Sequence, residues 1–157
     1  MNRHTFALET LWVGNQGTGT SDYRAYSRAH IIRAEGKHEI EGSSDKAFHG
    51  DVSRWNPEEL LIAALSQCHM LSFLHVAQVA GVVVELYEDQ ASGVLTTNPD
   101  GSGQITEVTL RPTVEVSAGD ATTVPDLHHR ASQLCFIANS VNFPVHHGPL
   151  TRVRSSD

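Results

Sequence analysis

Positive charge and cysteine are in short supply in this chain, and each shortage removes a class of function. Lys and Arg number 11 against 18 Asp and Glu, a formal net charge of -7. No basic excess is left from which to build a nucleic-acid-binding face. The ten histidines that would narrow the gap at lower pH are scattered. Two cysteines are too few for a disulfide-dense secreted scaffold. There is no low-complexity tract and no internal repeat. The opening residues, Met1-Asn2-Arg3-His4-Thr5-Phe6, contain no apolar run followed by small residues, so no secretory signal is expected and a cytoplasmic location is. Thiols are kept reduced there, and a cysteine pair is more often catalytic, redox-sensing or metal-binding than a permanent staple.

Charge of either sign is missing altogether from Leu60 to Val84. A helix exposed on one side carries charge on its outer face, so this stretch does not read as an ordinary surface helix. Ser66, Gln67, His69, Ser72, His75 and Gln78 are spread through it, which argues against a membrane span and leaves no membrane partner expected. The reading is a central helix covered on most sides, partly by another subunit.

The remaining pattern is that of a single domain over residues 1–157, a length near the commonest domain size. Thr5 to Val13, Tyr23 to Arg33 and His38 to Ile40 read as strands, followed by an irregular polar loop over 42–54. Asn56 is a preferred N-cap, Pro57 suits the first helical position, and Glu58 and Glu59 complement the helix dipole. Gly81 is the stop signal. Strands are expected at 82–95 and 105–116, with Val108, Leu110, Val114 and Val116 on one face and Pro112 marking an edge strand. A second helix is expected over Pro125–Asn139, its apolar stripe formed by Leu127, Ala131, Leu134, Cys135 and Ala138, and a short closing strand over 143–153. Strands, long helix, strands, helix and strand in that order make the fold α+β.

The chemistry-bearing residues are few. Cys68 falls in step with Leu61, Ala64, Leu65, Leu71 and Ser72, and Cys135 lies on the stripe of the second helix. If those stripes pack together, two sulfurs face each other within disulfide range. The bland alternative is that each cysteine is a small buried hydrophobe. Histidines form a second constellation: His69 adjoins Cys68, His128 and His129 precede Cys135, and His146 and His147 follow it. A Cys/His zinc site is conceivable, but there is no CxxC or HxxxH spacing. His69 and His75 read as core or interface residues, and His128 and Arg130 as part of a solvated helix face.

The run Asn56-Pro57-Glu58-Glu59-Leu60-Leu61-Ile62-Ala63-Ala64-Leu65-Ser66-Gln67-Cys68 resembles the signature of the OsmC/Ohr family, the osmotically inducible and organic hydroperoxide resistance proteins. Cys135 to Ser140 resembles the family's second cysteine segment, and Trp12-x-Gly14 and Tyr87-x-Asp89-x-x-Gly93 also fit. The resemblance implies antiparallel sheets around two cysteine-bearing helices, in an intertwined homodimer with sites at the subunit interface. It also implies reduction of an organic hydroperoxide by Cys68, resolution by Cys135 through a reversible disulfide, and regeneration by a dithiol, with no metal or organic cofactor.

Attack requires the thiolate, and so a nearby cation. The family uses an arginine of the first hairpin held by the glutamate matching Glu58, but the turn Gly14 to Thr20 contains no arginine. Arg24 and Arg28 on the following strand are the candidates, four residues apart on one face. Glu58 lies ten residues before Cys68, about 15 Å along one helix, so it reaches a sulfur only from a partner subunit. Phe136 is a further departure, standing where the best-known members carry proline. A non-catalytic protein that holds a small apolar ligand in the same fold is the alternative reading.

Overall fold

Short hydrogen-bonded turns, rather than long strands, organise the first part of the chain. The computed structural model describes residues 1–154, which divide into two units, one ending at Leu60 and the other beginning at Leu61. In the first, β1 (Glu9–Trp12) pairs antiparallel with β2 (His30–Arg33), and β2 with β3 (Ile40–Gly42). The strand expected over Tyr23–Arg33 is confined to its last four residues. Asp22 turns the chain instead, its carboxylate accepting from the Arg24 N–H at 3.0 Å and its carbonyl from the Ala25 N–H at 3.0 Å. Arg28 donates to the Tyr23 and Tyr26 carbonyls, both at 2.7 Å. Such side-chain-to-backbone bonds compete with a strand ladder. Gly14 is required by close approach, since a Cβ there would lie 1.8 Å from the Ser27 carbonyl oxygen.

Helix α1 (Pro57–Val79) starts where the sequence places it. The Glu59 N–H donates to Asn56 Oδ1 at 2.8 Å, and the Asn56 N–H to Glu59 Oε2 at 3.2 Å, a reciprocal capping box. At the other end Gly81, with φ of +72°, lets the Val82 N–H reach the Ala77 carbonyl at 2.9 Å and its own N–H the Gln78 carbonyl at 3.1 Å.

The second unit holds two three-stranded sheets. β4 (Val83–Asp89) runs antiparallel to β7 (Pro112–Ala118), to which β9 (Leu150–Val153) adds in parallel. β5 (Ser92–Thr97) runs antiparallel to β6 (Gly103–Leu110), to which β8 (Val145–His147) adds in parallel. Each expected long strand is therefore two, broken where the chain changes sheet. Asp89 anchors the break, accepting from the Arg111 backbone N–H at 2.6 Å, while the Arg111 side chain donates to the Ser92 hydroxyl at 2.8 Å. Pro112 does not mark an edge. It opens β7, the central strand of its sheet, where a first residue has no need to donate to the ladder.

Helix α2 (Val124–Leu134) ends earlier than expected: Cys135 is its C-cap, and a separate 3-10 turn covers Ala138–Ser140. The side of α1 turned to the core carries Leu65, His69, Phe73, Val76 and Ala77, spaced at helical intervals. Phe73, Val76 and Ala77 pack with Val82, Val114, Val116, Val124 and Ala131, and Leu65 with Val108 and Leu110. The rest of the helix is only partly covered: Leu71 is 60% exposed and Val79 70%. By length and composition α1 would also suffice to cross a membrane.

Candidate active site

Cys68 and Cys135 are both free thiols. Cys68 sits midway along α1, half-buried, one residue before the core stripe at His69. Cys135 is 1% exposed and leaves α2 in an extended conformation, with φ of -70° and ψ of 107°. That conformation turns the following backbone back over the sulfur, and the Ala138 N–H points at Cys135 Sγ at 3.4 Å. The Cys135 thiol neighbours that of Cys68, and burial first, then this neighbour, push it up to about 11. At neutral pH Cys135 keeps its proton.

Cys68 opens on a cavity of about 590 Å³. Ala64 and Leu71 of α1 and Leu134, Phe136 and Ile137 from the end of α2 form an apolar wall, and Gln67, Ser72 and His75 supply the polar part. Such a space accepts a largely apolar molecule and presents one nucleophilic sulfur to it.

Histidines back the thiols on the core side. His69 Nε2 and His128 Nδ1 lie 3.1 Å apart, bridging α1 and α2. The His147 ring of β8 lies 4.5 Å from that of His69, and Phe73 stacks on His128 at 4.0 Å. Burial, then the neighbouring histidines, hold His69 down to about 3 and His128 to about 4. The expectation that His128 lies on a solvated face is thus corrected: it is 2% exposed. Of the expected stripe, Ala131 and Cys135 are buried and Leu127 and Leu134 pack against the core from its edge, and the buried face of α2 runs through Val124, His128, Ala131 and Cys135. The i, i+4, i+7, i+11 spacing of those four was the available signal, hidden because histidine was counted as polar. His69 matches its core assignment, whereas His75 is exposed and lines the cavity. No group of three or more His, Cys, Asp or Glu side chains suited to a metal ion occurs among the described residues.

The remaining candidates belong to residues 1–60. Glu58 is half-buried in the first turn of α1. Arg24 and Arg28 line a polar cavity of about 420 Å³ with Gln16, Tyr26, His49 and Asp51. The Arg28 guanidinium is clamped between two rings, 4.4 Å from the centroid of Tyr23 and 4.1 Å from that of Tyr26. The two cysteines are therefore neighbours, and the two arginines share one pocket.

Comparison with known proteins gives the same frame. The sequence pattern of OsmC-like proteins matches residues 49–148. An OsmC-like protein of unknown function from Vibrio cholerae is similar over 98% of this chain and 100% of its own, with 33% identity and a TM-score of 0.80. The organic hydroperoxide resistance protein of Elizabethkingia anophelis shares the fold at 17% identity and a TM-score of 0.68, over 98% of this chain and 100% of its own. The organic hydroperoxide resistance protein OhrB of Bacillus subtilis does so at 21% identity and a TM-score of 0.60, over 94% and 98%. A search of curated proteins gave no match. With its two-helix, two-thiol arrangement and a family pattern spanning most of its length, the chain belongs to the family of OsmC-like proteins.

Proposed function

We propose that this protein is a two-cysteine, thiol-dependent peroxidase that reduces organic hydroperoxides to alcohols. The observation that carries the reading is that Cys68 and Cys135 are neighbours, beside an apolar cavity onto which Cys68 opens. In the first step the Cys68 sulfur attacks a peroxide oxygen: an S–O bond forms, the O–O bond breaks, and the alkoxide leaves as alcohol on taking a proton. Cys68 is then a sulfenic acid. The Cys135 sulfur attacks it, forming the S–S bond, while hydroxide departs as water with the Cys135 proton. A dithiol returns both thiols in two exchange steps. Hydroperoxide and dithiol become alcohol, water and disulfide.

The asymmetry of the two thiols supports these roles, since the protonated, buried member suits the resolver and the member open to the cavity suits the attacker. Arg24 or Arg28, with Glu58, is the proposed source of positive charge for the thiolate. A homodimer is proposed to cover the exposed apolar side of α1 at Leu71 and Leu74. A cavity so apolar would also suit a purely ligand-binding protein. An assay of the pure protein with cumene hydroperoxide and dithiothreitol separates the two: dithiol-dependent peroxide loss supports the peroxidase, and tight binding without turnover the ligand carrier.

A further inference from the structure

Phe73, Val76 and Ala77 of α1 share an apolar cluster with Val124 and Ala131 of α2. Apolar burial is non-directional. The His69–His128 hydrogen bond is directional. His69 follows Cys68 directly, and His128 stands seven residues before Cys135, two turns along one face of α2.

Both rings are buried, and their outer atoms, His69 Nδ1 and His128 Nε2, have no hydrogen-bond partner among the described residues. The inner bond is therefore the only polar contact the two rings make there, and it couples their tautomers, one ring donating and the other accepting. We propose that His69 and His128 are positioning residues for the thiol pair, their ring-to-ring bond setting the register of α1 against α2 that keeps Cys68 facing Cys135. This rests on Cys68 and Cys135 being a redox pair, though not on the identity of the oxidant.

The chemistry of the bond makes it sensitive to acid. One added proton leaves a donor facing an acceptor; a second turns both inner nitrogens into donors and breaks the bond. The groups facing the pair determine how readily that happens. His147 of β8 stands against His69 and repels a charge on either ring. His147 itself is attracted by Asp89 of β4 and opposed by its neighbour His146 and by His129 of α2. Tyr87 of β4, which packs on Phe73, stays a neutral phenol because burial and Asp89 raise it.

The test is the equilibrium of the Cys68–Cys135 disulfide in glutathione buffers, read by mass spectrometry after alkylation. His69→Leu and His128→Leu each lower the equilibrium constant for disulfide formation at least tenfold at pH 7.5, about 30 mV for a two-electron couple. The double variant His69→Gln/His128→Asn, whose amides can replace Nε2 and Nδ1, restores the constant to within about threefold. Leucine variants that fold and keep the wild-type constant overturn the proposal. If neither folds, the amide pair decides: a constant more than tenfold below the wild type's overturns it. Failure of the wild type to form this disulfide even in oxidised glutathione also overturns it. A wild type that forms the link in glutathione yet leaves hydroperoxide intact removes the peroxidase reading and leaves the positioning role standing.

Discussion

The buried thiol of Cys135, at the C-cap of α2, neighbours Cys68, so one sulfur is held protonated in the core while its partner faces an open cavity. The helix ends at Leu134, one residue before Cys135. Had α2 continued through Cys135, the Ala138 N–H would be pointing along the helix rather than at the sulfur. The local break in regular structure is thus part of the site.

The two arginines separate by what else they hold. Arg28→Met removes two bonds to backbone carbonyls and two ring contacts, and costs about 1–3 kcal/mol in urea unfolding. Arg24 lines the same cavity but is exposed, so Arg24→Met stays within about 0.5 kcal/mol. If either supplies the charge for Cys68, its Met variant slows peroxide attack at neutral pH and recovers at higher pH. Full activity in both variants would remove the arginines from the mechanism.

Phe136 is 81% exposed yet lines the cavity beside Cys68. Phe136→Ala is expected to change stability by less than about 0.5 kcal/mol. It should raise KM for cumene hydroperoxide roughly fivefold, the equivalent of about 1 kcal/mol of apolar contact, with a smaller effect for t-butyl hydroperoxide. Equal KM changes for both substrates would place Phe136 outside the binding surface.

The pH dependence of stability follows from the buried histidines. His69 and His128 titrate in the folded state near 3 and 4, below the ordinary 6.5, so the unfolded chain takes up protons first. Their contribution is complete above about pH 6.5 and is lost as the pH falls from there toward 4 and then 3. Urea midpoints should therefore drop across pH 6.5 to 4. The His69→Gln/His128→Asn variant should show a shallower fall.

Much of this site was legible in the sequence. The capping box at Asn56 and the stop at Gly81 fix the ends of α1, and with them the place of Cys68, because capping is a local property of a few residues. The face of α2 was legible in part: Ala131 and Cys135 are buried as read and Leu127 and Leu134 pack against the core, but counting His128 as polar left it out, and only packing against Phe73 and His69 shows it to be core. Pro112 misled for a different reason. A chain that switches sheets between two strands keeps its β pattern throughout, and the break depends on Asp89, 22 residues earlier.

Leu71, 60% exposed, and Leu74, 36% exposed, lie on a helix face without charge. Light scattering at micromolar concentration should give twice the 17.1 kDa chain mass. Leu71→Asp should shift the protein toward monomer and reduce peroxidase activity with it. A stable wild-type monomer would contradict the dimer.

Thiol titration after a single turnover tests the central claim most directly. One equivalent of cumene hydroperoxide, added to fully reduced protein, should remove two thiols per chain, and peptide mapping should recover Cys68 joined to Cys135. Cys135→Ser should lose one thiol and yield a trappable sulfenic acid at Cys68, while Cys68→Ser should lose none at a comparable rate. Two thiols that survive the hydroperoxide, or equal oxidation rates in wild type and Cys68→Ser, would contradict the account.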